Sequence, residues 1–367
     1  MQRIPGSGIT RTATSRTTPM TRTRLRVGYR PHSDLATTLA TTPARPWSDT
    51  ARTATWQTGS MIAIVCPGQG SQTPGFLTPW LAEARFADSL AELSDAAGID
   101  LTTHGTVSDA DTIRDTAVAQ PLIVAAGILT LTALLTAERR SRIGGIVGHS
   151  VGEFTAAVGA GVLSPADAMH AVAVRGQAMA DASALTPTGM SAVLSTDREL
   201  VLARLAELDL APANINGGGQ IVAAGAIPAL TTLKEAPPTG ARVIPLQVAG
   251  AFHTRYMSSA VPVLADALTA VVARDPSLPL WTNSDGSLVN SGQRFSELLV
   301  AQVAAPVRWD LCMASLLTAG ITGVIELAPA GALAGLIKRE LPGIPVVAVK
   351  TPDEFAAAAA LIDGDSG

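Results

Sequence analysis

The sequence predicts an α/β fold in which a large domain with a parallel sheet carries a small inserted ferredoxin-like domain. From residue 61 onward, short apolar runs with the length of buried strands alternate with longer helical segments. This alternation is typical of a parallel sheet covered by helices. In the middle of the chain the order changes to βαββαβ within about sixty residues, which is the ferredoxin-like pattern.

The large domain is predicted to begin with a buried strand. Its first elements are a strand at 62–66, a helix at 120–135, a strand at 143–147, and helices at 153–161 and 165–184. The helix at 120–135 is the most apolar, but threonines interrupt it and a charged Glu-Arg-Arg segment follows it. We therefore predict a buried helix rather than a membrane span.

The small domain is placed at residues 188–247, after a break at 185–189. Its predicted elements are a strand at 190–194, a helix at 197–208, strands at 213–216 and 220–224, a helix at 227–234, and a strand at 242–248. Asp197 is the predicted N-cap of the first helix. The large domain is therefore discontinuous. Its two parts and the C-terminal tail take residues 61–187, 248–352 and 353–367.

The first 60 residues have a different composition from the rest of the chain. They hold nine arginines, fifteen threonines and two acids, a net charge of +7, whereas the remainder holds 17 basic and 28 acidic residues, a net charge of −11. A segment with so few apolar residues cannot bury enough surface to order itself. We predict a disordered leader at 1–60. It resembles a transit peptide, and a misassigned start codon or an expression artefact explains it equally well, because Met61 has the features of a true start.

Two cysteines, Cys66 and Cys312, allow at most one disulfide in 367 residues. This favours a reducing compartment, so we expect a cytoplasmic protein with inert, buried thiols. No spacing typical of metal ligands is present, and we expect no metal.

The motif Gly148-His149-Ser150-Val151-Gly152 lies between a predicted strand and a predicted helix. In such a turn only glycine fits at the flanking positions, and the serine hydroxyl is exposed at the helix N-terminus, where backbone N–H groups can receive an oxyanion. This nucleophile elbow predicts an α/β-hydrolase-like large domain with Ser150 as nucleophile. The alternative is a structural turn.

A serine nucleophile requires a base, and four histidines lie beyond residue 60. His104 is better explained as a surface residue, His149 as a neighbour of the serine that points elsewhere, and His170 as an ordinary helix residue. His253 follows the last strand of the small domain, at the seam between the domains, where pockets form. We therefore favour His253 as the base.

The loop at 67–72, Pro-Gly-Gln-Gly-Ser-Gln, follows the first strand, and loops at the carboxyl ends of parallel strands line ligand crevices. It lacks a phosphate-binding motif, so contact with a substrate or an oxyanion is favoured.

Arg175 is a lone cation on a helix rich in alanine, valine and methionine. It is either a solvated residue or a fixed guanidinium that binds a carboxylate through two N–H groups.

Together these motifs resemble the malonyl-CoA:acyl carrier protein transacylases, in particular the actinobacterial members. The resemblance runs from Met61 to about Pro352. It rests on Pro67 to Gln72, Gln120-Pro121, Gly148 to Phe154, Arg175-Gly176, Gly189-Met190, Gly250 to Thr254, and Pro306-Val307-Arg308-Trp309. Ala305 departs from the family pattern, because many relatives have a polar residue there.

The resemblance implies a Ser-His dyad without an acidic third member and without a cofactor. The implied roles are nucleophile for Ser150, base for His253, ligand of the malonyl carboxylate for Arg175, oxyanion hole for the backbone N–H groups of Gln69 and Val151, and orientation of the histidine for the main-chain carbonyl of Gln302.

The implied reaction is ping-pong transfer of a malonyl group from malonyl-CoA, through malonyl-Ser150, to the phosphopantetheine thiol of acyl carrier protein, for fatty acid elongation. Three alternatives stay open: an acyltransferase serving a polyketide synthase, a serine hydrolase, and a carrier-binding module without catalysis. We expect a monomer whose partners are malonyl-CoA and acyl carrier protein, with no nucleic acid or membrane partner.

An acidic carrier protein requires a local basic patch, because residues 61–367 are negatively charged overall. The favoured patch is Lys338-Arg339, on a helix predicted at 331–340 near the cleft mouth. The other candidate patch consists of Arg139, Arg140 and Arg142.

Overall fold

A computed structural model of the protein describes residues 61–364, so the predicted leader at 1–60 lies outside the described residues. The strands are β1 (Ile62–Cys66), β2 (Ile143–Gly148), β3 (Thr188–Leu194), β4 (Ala211–Gly217), β5 (Gln220–Ala226), β6 (Arg242–Pro245), β7 (Leu280–Trp281), β8 (Gly323–Glu326) and β9 (Val346–Ala348). The α-helices are α1 (Thr78–Leu81), α2 (Ala84–Ala97), α3 (Leu101–Thr106), α4 (Thr116–Leu134), α5 (Ala137–Arg140), α6 (Gly152–Ala160), α7 (Pro165–Leu185), α8 (Arg198–Glu207), α9 (Ile227–Glu235), α10 (Ala260–Thr269), α11 (Gly292–Gln302), α12 (Trp309–Thr318), α13 (Ala332–Glu340) and α14 (Phe355–Asp363).

Five strands form a parallel sheet in the order β7-β2-β1-β8-β9. Alternate residues of β1 enter two apolar clusters, one with α4 and α7 and the other with α12 and α13, so helices cover both faces. Because β1 and β2 are parallel neighbours, the loops that follow them leave the sheet at one edge. This edge is where the predicted elbow and the loop at 67–72 meet.

The other four strands form an antiparallel sheet in the order β4-β5-β3-β6, and helices α8 and α9 pack on it around a separate apolar cluster. The chain order is β3-α8-β4-β5-α9-β6, which is the predicted βαββαβ pattern. The side chain of Asp197 accepts the backbone N–H of Leu200 at 3.0 Å, as expected of an N-cap. The predicted fold class, a parallel-sheet domain with a ferredoxin-like insertion, is confirmed.

Helix α4 is long and apolar enough to cross a membrane, but 78% of its most apolar window is buried inside the protein. Asp115 caps its start by accepting the backbone N–H of Ala117 at 2.8 Å. It is therefore the core helix that the sequence predicted.

Several elements differ from their expected bounds, among them β6 and the C-terminal tail. Strand β6 ends at Pro245 rather than at residue 248, and proline has no N–H with which to continue a ladder. The predicted tail at 353–367 contains α14. Its residue Phe355 packs edge-on against Trp80, with ring centroids 5.2 Å apart, and two further α14 residues are buried. The described part of this tail is thus integrated into the core.

Candidate active site

Ser150 lies in the turn between β2 and α6. A Cβ on Gly148 would overlap the backbone at the start of α6, and a Cβ on Gly152 would overlap the backbone carbonyl of Cys66. Only glycine lets the turn approach β1 this closely. Ser150 itself has a positive φ of 53°, a strained conformation for a residue with a side chain, and this conformation is typical of functional sites.

The hydroxyl of Ser150 lies 2.7 Å from Nε2 of His253. On the other side of the ring, Nδ1 lies 2.9 Å from the main-chain oxygen of Gln302. A carbonyl oxygen only accepts, so Nδ1 carries the hydrogen and Nε2 is free to accept the serine proton. The structure therefore connects Ser150, His253 and the Gln302 carbonyl through two successive hydrogen bonds.

His253 is 4% exposed and has a φ of 61°. Burial lowers the pKa of His253 from 6.5 to about 3, and the nearby charge of Arg175 also lowers it. The ring is consequently neutral at physiological pH, which is the form that a general base requires.

A cavity of about 80 Å³ opens beside this pair. Ser150 and His253 line it together with Gln69, Gln120, His149, Val151, Met179, Met190, Asn214, Val222, Leu246, Val248 and Phe252. The structure thus places both predicted oxyanion-hole residues, Gln69 and Val151, at the serine. The side chain of Gln69 is anchored by donation to the carbonyl of Arg114 at 3.2 Å.

Arg175 is 1% exposed, so it is not a solvated residue of α7. Its Nη1 donates to Oε1 of Gln120 at 2.6 Å, and its Nη2 donates to Oε1 of Gln302 at 2.8 Å. Its Nε is buried with no partner among the described residues. Burial lowers the pKa of Arg175 to about 10, so the guanidinium remains a cation at neutral pH. A buried cation with free N–H groups is suited to a carboxylate.

Sequence reasoning missed one residue of this site, Glu153. It is 1% exposed, lies three residues after Ser150 and contacts Asn283 and Gln302. Burial raises the pKa of Glu153 to about 7, and the hydrogen bond from the backbone of Asn283 opposes this rise. A single acid in the otherwise apolar helix α6 was the signal that could have identified it.

The other histidines lie elsewhere or have other partners. His149 Nε2 is 3.0 Å from Oδ1 of Asn216, and its ring packs edge-on against Trp309. His104 Nδ1 is 3.0 Å from the hydroxyl of Ser108, and His170 is exposed on α7. Within residues 61–364 no cluster of three or more histidine, cysteine or acidic side chains could hold a metal, and both cysteines are free and buried.

The two candidate basic patches have different surroundings. Arg139 forms an ion pair with Asp363 of α14 at 3.1 Å, and Arg142 contacts the same carboxylate at 3.5 Å. Arg140 donates to Ser277 at 2.7 Å. These arginines immediately precede β2, whereas Ser150 follows it, so the length of a six-residue strand, about 20 Å, separates them. Lys338 and Arg339 lie exposed in the last turn of α13.

Comparison with known proteins assigns the family. Residues 63–349 match the family described as acyl transferase domain. The malonyl CoA-acyl carrier protein transacylase of Mycobacterium tuberculosis strain H37Rv is 50% identical over 303 residues, covering 81% of this chain and 99% of that protein.

Two solved structures are also similar. The crystal structure of MCAT from Mycobacterium tuberculosis has a TM-score of 0.79 at 48% identity, covering 82% of this chain and 99% of that one. A malonyl-transacylase solved in complex with a type II PKS acyl-carrier protein has a TM-score of 0.74 at 28% identity, with 82% and 99% coverage. The fold, the serine elbow and these similarities agree, and the chain belongs to the acyl transferase family as one of its malonyl-CoA:acyl carrier protein transacylases.

Proposed function

We propose that the protein transfers a malonyl group from malonyl-CoA to the phosphopantetheine thiol of an acyl carrier protein, through a malonyl ester on Ser150. One observation carries the proposal. The Ser150 hydroxyl lies 2.7 Å from a neutral histidine nitrogen, in a cavity lined by Gln120, whose amide oxygen accepts from the buried cation Arg175. Arg175 does not itself line the cavity, and Gln120 connects this cation to the cavity that holds the nucleophile and the base.

In the first half-reaction, His253 Nε2 accepts the proton of Ser150 as Oγ attacks the thioester carbonyl of malonyl-CoA. The backbone N–H groups of Gln69 and Val151 stabilise the oxyanion, since both residues line the cavity and neither N–H group donates to an acceptor within residues 61–364. The main-chain oxygen of Gln302 stabilises the imidazolium through Nδ1. The intermediate then collapses, the carbon–sulfur bond breaks, and His253 returns its proton to the leaving thiolate of CoA.

In the second half-reaction, the phosphopantetheine thiol gives its proton to His253 and attacks the malonyl ester. The ester bond to Ser150 breaks, and His253 reprotonates the serine oxygen. The malonyl carboxylate binds Arg175 in both halves. These steps need no metal and no prosthetic group, and we place the enzyme in the cytoplasm, supplying fatty acid elongation.

The test is intact-mass analysis of the two half-reactions. With malonyl-CoA alone, the protein should gain the mass of one malonyl group and release CoA without free malonate. Addition of carrier protein bearing phosphopantetheine should move that mass to the carrier. Release of malonate without transfer would identify a hydrolase, and absence of any adduct would identify a binding module without catalysis.

A polyketide synthase carrier is the second candidate acceptor. The similar malonyl-transacylase noted above was solved with a type II PKS acyl-carrier protein. The chemistry at Ser150 would be the same for either acceptor. Competition between a fatty acid carrier and a polyketide carrier for the malonyl-enzyme distinguishes the two roles by their kcat/KM values.

We propose that Lys338 and Arg339 bind the acidic carrier, because both are exposed and lie outside the ion pairs that occupy Arg139 and Arg142. Reversing one charge, Lys338→Glu, should raise the KM for carrier several-fold while sparing acylation by malonyl-CoA. Charge reversal at Arg142 is the matched control and should leave both half-reactions unchanged. Equal effects of Lys338→Glu on the two half-reactions would contradict the docking proposal.

A further inference from the structure

Glu153 is a buried carboxylate in the first turn of α6 that the proposed reaction does not use. Its Oε1 accepts the backbone N–H of Asn283 at 2.7 Å. Its Oε2 accepts a short hydrogen bond from Nε2 of Gln302. The carboxylate therefore receives donors on both oxygens, from the loop after β7 and from α11.

Gln302 is the residue through which Glu153 reaches the site. Its Nε2 also donates to the main-chain oxygen of Ser150 at 3.1 Å, and its Oε1 accepts from Nη2 of Arg175 at 2.8 Å. Its own main-chain oxygen accepts a hydrogen bond from Nδ1 of His253 at 2.9 Å. One glutamine thus contacts the nucleophile, the base and the guanidinium.

The amide of Gln302 satisfies these contacts in one orientation only. If it were rotated by 180°, its oxygen would face the carboxylate and the carbonyl of Ser150, and its NH₂ would face the guanidinium. Above its pKa of about 7, Glu153 is an ionised carboxylate and has no hydrogen to donate to an amide oxygen, so acceptance from Nε2 opposes this rotation. Resting on the proposed malonyl transfer, we propose that Glu153 is a positioning residue that fixes the Gln302 amide and thereby aims Arg175 at the malonyl carboxylate.

The charges are consistent with this role. The attraction of Glu153 raises the pKa of Arg175 against the lowering effect of burial. The two opposite charges are separated by the Gln302 side chain, which bonds to both. This arrangement leaves the guanidinium free for a second anion, whereas a direct ion pair would occupy it.

The variant Glu153→Gln tests the proposal, because an amide has one acceptor atom and the site presents donors on both sides. If its NH₂ faced the Asn283 N–H, one backbone hydrogen bond would be lost. If its NH₂ faced Gln302 Nε2, the Gln302 amide would lose its fixed orientation. We expect the ratio of kcat/KM for malonyl-CoA over acetyl-CoA to fall about 10-fold, the effect of one lost buried hydrogen bond. The matched control is Glu326→Gln. Glu326 is also fully buried but accepts backbone N–H groups at the start of α13, so its loss should lower the melting temperature and leave this ratio unchanged.

A double-mutant cycle separates positioning from general stability. Gln302→Met removes the amide and keeps the main-chain carbonyl, so adding Glu153→Gln to it should change the ratio less than two-fold. The proposal is overturned if Glu153→Gln leaves the ratio unchanged, or lowers it equally in both backgrounds. If Glu153→Gln does not fold, Glu153→Asp replaces it, because aspartate keeps both carboxylate oxygens on a shorter side chain. Glu153→Asp should give a ratio between those of the wild type and Glu153→Gln. An unchanged ratio would again overturn the proposal. If the wild-type protein does not malonylate the carrier, that result contradicts the proposed function rather than the role of Glu153.

Discussion

Replacing Ser150 with alanine is expected to abolish the malonyl adduct. The hydroxyl is the only atom of Ser150 placed 2.7 Å from His253, and no other group in that turn takes its place. The loss in kcat should be on the order of 10⁵ or more, because the variant has no hydroxyl with which to form the ester. The measurement is intact mass after brief exposure to malonyl-CoA. His253→Ala keeps the hydroxyl but removes its base, and should slow transfer by on the order of 10³.

Ser183→Ala is the matched control for this experiment. Ser183 is also buried, and its hydroxyl donates to the main-chain oxygen of Met179 at 2.8 Å, so its loss should leave labelling intact. A malonyl adduct on another residue of the Ser150→Ala variant would show that the elbow does not hold the nucleophile.

Replacing Arg175 with alanine should lower kcat/KM for malonyl-CoA by roughly 10² to 10⁴, because the malonyl carboxylate would be desolvated without a partner. The two glutamine contacts occupy two of the five N–H groups, and Nε is buried without a partner among residues 61–364. Acetyl-CoA carries no carboxylate, so its transfer should be spared or improved. Arg175→Lys should recover part of the malonyl activity, since it supplies a charge without the planar fork.

The measurement is kcat/KM for both acyl-CoA substrates in each variant, with melting temperatures to verify folding. Arg204→Ala is the control, because Arg204 pairs with Glu207 on the surface of α8. Equal losses on the two substrates would mean that Arg175 supports the fold rather than selects the acyl group.

Much of the architecture could be predicted, because strong local signals agree with the tertiary structure. Strand β2 was expected at 143–147 and extends one residue further, and α7 was expected at 165–184 and extends to Leu185. Other elements were not predicted, among them α2, α3, α10, α12 and β9. Strand β7 has two residues, too few to show a period, and is defined by its pairing with β2. Helix α11 was not predicted, although Ser291 caps it by accepting the backbone N–H of Arg294.

The site divides in the same way. The glycines that the elbow turn requires lie within five consecutive residues of the sequence. Ser150 could therefore be identified as the nucleophile from this short segment alone. Glu153 could not, because its partners are 130 and 149 residues away in the sequence and come from two other elements. The burial of Arg175 could not be predicted from the sequence either, because it depends on contacts of α7 with α4 and α11.

The positive φ angles of Ser150 and His253 have a consequence for how this enzyme can change over time. Each left-handed residue costs on the order of 1 kcal/mol, and glycine would relieve that strain. At Ser150, selection for thermal resistance alone would therefore favour glycine and eliminate catalysis. At His253 the ring is buried, so glycine would relieve the strain but leave a cavity, and this position is retained by packing as well as by turnover. At the elbow, therefore, durability and activity are opposed.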